Sequence, residues 1–175
     1  CAGNNCTDSG TPCGLLGITN EQASRVFSFR AVGGITNATQ IAASRNSRCV
    51  LYNTDRVGCW GANDFGELGD GSLVPRGTGL TVPGVIGVIE VASHPNADSF
   101  CALQSNGQVR CWGKNDFGQL GNGTNVDARS PVLVQGITQA TSISVGATHA
   151  CAILSDGSAR CWGNNLAGRL GDGTG

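Results

Sequence analysis

Three stretches of the chain follow one pattern: CVLYNTDRVGCWGANDFGELGDGS from Cys49, CALQSNGQVRCWGKNDFGQLGNGT from Cys101 and CAILSDGSARCWGNNLAGRLGDGT from Cys151. In each, a Cys is followed ten positions later by Cys-Trp-Gly, then by Asn, then by Gly-x-Leu-Gly-x-Gly. Recurrence on this scale confines the chain to a repeat architecture, in which one supersecondary unit recurs and adjacent units bury each other's apolar faces.

The frame extends upstream of each Cys. SFRAVGGITNATQIAAS from Ser28 aligns with SPVLVQGITQATSISVG from Ser130, setting Ile35 against Ile137 and Ile41 against Ile143. The units are therefore residues 28–77, 78–129 and 130–175, a period of 50 to 52 residues, preceded by a cysteine-containing segment 1–27. Residues 1–25 match no later segment, and 18–25 read as a short helix or a linker. Within a unit, Val132 and Val134 alternate, as do Ile143 and Val145, and the runs are bounded by Gly, Asn, Asp or Ser. Period-two runs of this length are strands, and four short strands per unit predict an all-β propeller blade, about three blades in this chain.

The cysteines sharpen the local geometry. Cys49 with Cys59, Cys101 with Cys111 and Cys151 with Cys161 are each ten residues apart around a turn. If Cys101 faces Cys111, the turn is Ser105-Asn106-Gly107, whose last position requires positive φ; Gly157 takes that place in the third unit and Asp55 in the first. Directly opposed strand residues lie close enough for a disulfide. Zinc would need converging ligands, and the two histidines, His94 and His149, occupy non-equivalent places. Three disulfides predict an oxidising location: secreted, periplasmic or on the cell surface. Cys6 with Cys13 would close a further small loop and leave Cys1 unpaired. An N-terminal Cys of this kind is what a lipid-anchored bacterial protein carries after processing; the alternatives are pairing with a partner chain, or a chain that simply starts there. With no Met and no leader, the sequence reads as a processed or excised product.

Trp60, Trp112 and Trp162 each follow the second Cys of a pair, so they project from the strand face opposite the sulfur and are expected to pack between blades. Phe65 and Phe117, replaced near Leu166 in the third copy, are expected to be apolar filler. Asp64, Asp70 and Asp172 lack the alternating pattern of a calcium loop and are expected to cap turns. Asn37 and Asn122 head N-glycosylation acceptor triplets, as does Asn5. There is no nucleophile elbow, phosphate-binding loop or His-Glu-x-x-His motif, so neither an enzyme nor a cofactor is expected.

The stretch Cys101 to Thr124 resembles the repeat of the regulator of chromosome condensation family, and its double-Cys form is similar to secreted bacterial versions. The resemblance covers residues 28–175 and implies a β-propeller, in that family usually of seven blades. It also implies several roles: nucleotide exchange on a small GTPase with nucleosome binding, light sensing through tryptophans, or inhibition of another protein. Disulfides and a net charge of -1 argue against the first, and no Gly-Trp-Arg-His run supports the second. With 13% charged residues the chain has no basic footprint for nucleic acid, and its longest apolar run, from Val82, is too short to span a bilayer. Taken together, the residues predict an extracellular or surface-exposed binding module whose propeller loops engage a protein partner, or which self-associates. The alternatives are a structural subunit of an extracellular fibre or sheath, and the non-catalytic part of a larger propeller enzyme.

Overall fold

The computed structural model describes residues 31–174. Cys1, Cys6, Cys13 and the helix or linker expected at 18–25 lie outside them. The described chain is built of antiparallel strands taken in order. The first sheet runs β1 (Ala38–Ala43), β2 (Ser47–Tyr52), β3 (Val57–Gly61) and β4 (Arg76–Thr81). The second runs β5 (Val88–Ala92), β6 (Ser99–Gln104), β7 (Val109–Gly113) and β8 (Ala128–Leu133). The third holds three strands among the described residues, β9 (Ala140–Val145), β10 (His149–Leu154) and β11 (Ala159–Gly163). Four strands per blade thus describes the first two sheets. Strands β4 and β8 straddle the boundaries at 77/78 and 129/130 that the sequence period suggests, so period and sheet are out of step by one strand.

The sheets stack as successive propeller blades. Strand β5 meets β1 of the sheet before it and β9 of the sheet after it, and the three form the inner edge. Two side chains lace that edge together: Gln40 Oε1 accepts the Val91 amide at 2.8 Å, and one sheet further on Glu90 Oε2 accepts the Ile143 amide at 3.2 Å. The equivalent place in the third sheet is Ser142. Every residue of β6 is buried, because the middle sheet is covered on both faces.

The central hairpins set the register. Cys49 faces Cys59, Cys101 faces Cys111 and Cys151 faces Cys161, each pair joined as a disulfide with Cα atoms 4.1, 4.0 and 4.0 Å apart. In the turns, Gly107 and Gly157 take φ of 77° and 82°, and Asp55 takes 58° in the first unit. Asp is one of the few residues with a side chain that tolerates this conformation, which is why the hairpin survives without a glycine there.

Candidate functional site

Alternation along β3, β7 and β11 gives each sheet two unlike faces, one bearing the disulfide and one bearing the Trp. In the joint between the first two sheets, Trp112 is fully buried (0% exposed) among Leu68, Val82 and the Cys49–Cys59 pair. Phe100 stacks beside it, with ring centroids 6.1 Å apart and planes at 19°. The Trp112 indole N–H donates to the Glu67 carbonyl at 2.8 Å. The next joint repeats this: the Trp162 indole donates to the Gln119 carbonyl at 2.9 Å, against Val134, Leu120 and the Cys101–Cys111 pair. A turn from one sheet therefore reaches across to the indole of the next. Both turns need Gly after the Leu: a Cβ on Gly69 would lie 3.1 Å from the Trp112 indole, and one on Gly121 would lie 2.9 Å from that of Trp162.

The loops after β3, β7 and β11 leave the same end of the blades as the β1–β2, β5–β6 and β9–β10 connections. One Asn pins each. Asn115 Oδ1 accepts the Leu120 amide at 2.9 Å, and its Nδ2 donates to the carbonyls of Thr124 at 2.8 Å and Val126 at 3.0 Å. Asn63 does the same with Leu68, Ser72 and Val74, and Asn165 with Leu170 and Thr174. Sequence reasoning passed over this role. Its signal was an Asn fixed in all three copies two residues after Trp-Gly, where an ordinary turn would tolerate Asp or Ser.

The turn beyond each Asn is capped by the side chain at Asp70, Asn122 or Asp172. Asp70 Oδ1 accepts the Ser72 amide at 2.9 Å and hydroxyl at 2.7 Å; Asp172 does the same with Thr174 at 2.9 and 2.7 Å. Asp64 has no such role, since the Phe65 amide goes to Glu67 Oε2 at 2.8 Å. Asn122 is half-buried, with its Oδ1 accepting from the backbone amide and hydroxyl of Thr124 and from the side-chain Nδ2 of Asn115, whereas Asn37 is exposed at a φ of 56°. His149 lies half-buried on β10, where burial lowers its pKa, and His94 Nδ1 accepts the Asn96 amide. No group of three or more His, Cys, Asp or Glu among the described residues could hold a metal ion.

At their tips the pinned loops expose apolar side chains. Phe117 is 49% exposed, Val126 71% and Leu166 71%, with Leu73 and Val74 also exposed. Phe117 is therefore a loop-tip residue and not filler. Its counterpart Phe65 is half-buried under Lys114, whose Nζ sits 4.4 Å from the ring centroid and 3.2 Å from Asp116. Arg45 spans the first joint at the same end, 3.3 Å from Asp98 and bonded to the Asn96 carbonyl.

Beneath this end lies Glu67, only 3% exposed. Burial, reinforced by Asp98 and Asp64 and only partly offset by backbone amides, pushes its carboxyl up to about 7. The folded chain thus holds this proton to near neutrality, while the unfolded chain releases it near 4.5. Between those values the folded state binds more protons, so stability falls as pH rises through that window, by on the order of 3 kcal/mol. Glu67→Gln places the amide that Gln119 already provides in the next loop, where Gln119 Oε1 accepts the Phe117 amide. The variant should be more stable than the wild type at pH 8 and little changed at pH 4. Urea unfolding across pH checks this; an unchanged pH slope would show that Glu67 is ionised when folded.

The Regulator of chromosome condensation (RCC1) repeat profile matches residues 106–153, and a second profile of the same repeat matches 88–119 and 140–169. The chain is 35% identical over 113 residues to the E3 ubiquitin-protein ligase HERC2 of Homo sapiens, covering 63% of this chain and 2% of HERC2. It is 34% identical over 93 residues to the ultraviolet-B receptor UVR8 of Arabidopsis thaliana, 51% of this chain and 21% of the receptor. Among solved structures it superposes on Prp20p of Saccharomyces cerevisiae with a TM-score of 0.67 at 21% identity, covering 81% of this chain and 36% of Prp20p. Human WBSCR16 gives 0.64 at 20%, covering 79% and 35%. The chain spans about a third of those structures and at most about a fifth of these relatives. Residues 88–169 of the chain thus carry repeats of the regulator of chromosome condensation family.

Proposed function

We propose that the chain is a non-catalytic binding module that engages a protein partner through the loop end of its blades, outside the cytoplasm. The observation that carries this is the set of exposed apolar tips, Leu73, Val74, Phe117, Val126 and Leu166, on loops fixed from below by Asn side chains. Apolar side chains held rigidly in water cost little ordering entropy when covered, which suits recognition of another protein. Prp20, a structural neighbour of this chain, has been crystallised bound to the protein Kap60. The three disulfides support a secreted, periplasmic or cell-surface setting.

The test compares two pairs of exposed substitutions in crosslinking to proteins of the source's extracellular fraction. Phe117→Ser with Val126→Ser should reduce the captured partner at least tenfold, while Ile86→Ser with Asn106→Ser at the hairpin end should leave it unchanged. Equal loss from both pairs, or none from the first, would remove the loop end as the binding surface.

One observation favours self-association as a second reading. The disulfide face of the third sheet is only half-buried, with Cys151 and Cys161 partly accessible and Ile153 exposed, whereas the same face of the first two sheets is covered. Concentration-dependent sedimentation abolished by Ile153→Lys would establish it.

A further inference from the structure

The run Leu73-Val74-Pro75-Arg76-Gly77 carries the chain from the loop pinned by Asn63 into β4, the outermost strand of its sheet, which is bonded to β3. Leu73, Val74, Pro75 and Arg76 are exposed in succession. Pro75 fixes its own φ and disfavours a helical Val74, and Gly77 puts no side chain beside the Arg76 carbonyl. The ladder also opens at this point. Arg76 pairs with Gly61 and Leu80 with Cys59, so Gly77, Thr78 and Gly79 on β4 stand against Trp60 alone on β3, and the strand bulges directly after Arg76. The Arg76 guanidinium lies 3.5 Å from Asp70 with its side chain 44% exposed, an ion pair that holds little against competition.

We propose that the Arg76–Gly77 bond is a cleavage site for an arginine-specific serine endopeptidase of the trypsin class, and that the cut chain stays assembled. Such an enzyme takes an extended segment, seats the guanidinium in an acidic pocket and attacks the carbonyl of the same residue. Net, water adds across the bond: its hydroxyl goes to the Arg76 carbonyl carbon and its proton to the Gly77 nitrogen, leaving a new carboxylate and a new amino terminus. The second sheet has the same bulge, between Ala128 and Val132, and there Arg129 is followed by Ser130. That bond is closed off, because the Arg129 carbonyl accepts the Gly71 amide at 2.9 Å and a Cβ on Gly66 would meet the Arg129 Cα at 2.5 Å. Arg48 and Arg110 precede buried cysteines in paired central strands. Both sides of the Arg76–Gly77 bond are anchored. Upstream, Asn63 Nδ2 donates to the carbonyls of Ser72 at 3.1 Å and Val74 at 3.2 Å. Downstream, Val82 is fully buried and its amide donates to the Val57 carbonyl at 2.8 Å. Each disulfide among the described residues lies wholly on one side of the bond, so strand pairing and packing hold the pieces together.

The test incubates the full, oxidised chain with thrombin, an enzyme of this class that accepts Pro-Arg, and follows the products by mass spectrometry without reductant. The folded chain should be cut after Arg76 at a rate within about a hundredfold of a free peptide of residues 70–80, because little local opening is needed. The two pieces, residues 1–76 and 77–175, should elute together in size exclusion and separate in urea. Arg76→Gln should abolish the cut while circular dichroism shows the fold retained. With trypsin, the bonds after Arg48, Arg110 and Arg129 should be cut at least about a hundredfold more slowly than the bond after Arg76. A folded chain cut more slowly than that limit, comparable cutting after Arg129, or pieces that part without urea would each overturn the proposal.

Discussion

Trp112→Ala should lower stability by about 3–5 kcal/mol, the range for removing a fully buried large aromatic. The substitution empties the joint between the first two sheets, unstacks Phe100 and leaves the Glu67 carbonyl without its donor. For a domain of this size that corresponds to a fall in melting temperature of roughly ten degrees. Trp162→Ala deletes the same side chain from the same repeat position, but Trp162 is only partly buried and should cost about half as much. Thermal unfolding of the two variants side by side checks this. Equal losses would mean that tryptophan stabilises its own hairpin and not the joint.

Asn115→Leu should be the second most damaging change. Leucine nearly fills the volume, so little cavity forms, yet the buried Leu120 amide and the Thr124 and Val126 carbonyls lose the fully buried Asn115 side chain as their partner. Unpaired buried groups cost about 1–3 kcal/mol each, and partial relaxation of the loop brings the net loss to on the order of 3 kcal/mol. Asn165→Leu breaks the same pattern in an exposed loop, where water replaces the lost bonds, and should cost under about 1 kcal/mol. Hydrogen exchange at the Leu120 amide, together with melting curves, separates the two. Because Val126 is carried by the loop that Asn115 holds, Asn115→Leu should also weaken any partner bound at the loop end.

Strands, hairpin register and the separation of sulfur from indole could be read from the chain because each follows from a spacing: ten residues between cysteines, one between Cys and Trp. The pinning Asn could not. Its identity repeats plainly, but its partners, Leu68 and Val74 for Asn63, are set by how a loop folds back, which no period encodes. Phe117 was misjudged for a related reason. An aromatic in a repeat is usually core, and only the path of its loop shows that it faces water while Phe65 shelters under Lys114. Glu67 was invisible as a titrating group because Gln119 and Arg169 at the same position are not acids, so the repeat gave no warning of a buried carboxyl.

Each joint brings an indole face against a disulfide face, never like against like. Two surfaces so unlike cannot be related by a two-fold axis, so contacts between copies through them would be head-to-tail. A head-to-tail contact has only two geometric outcomes, set by the rotation it imposes: the copies close into a ring, or they continue as a filament.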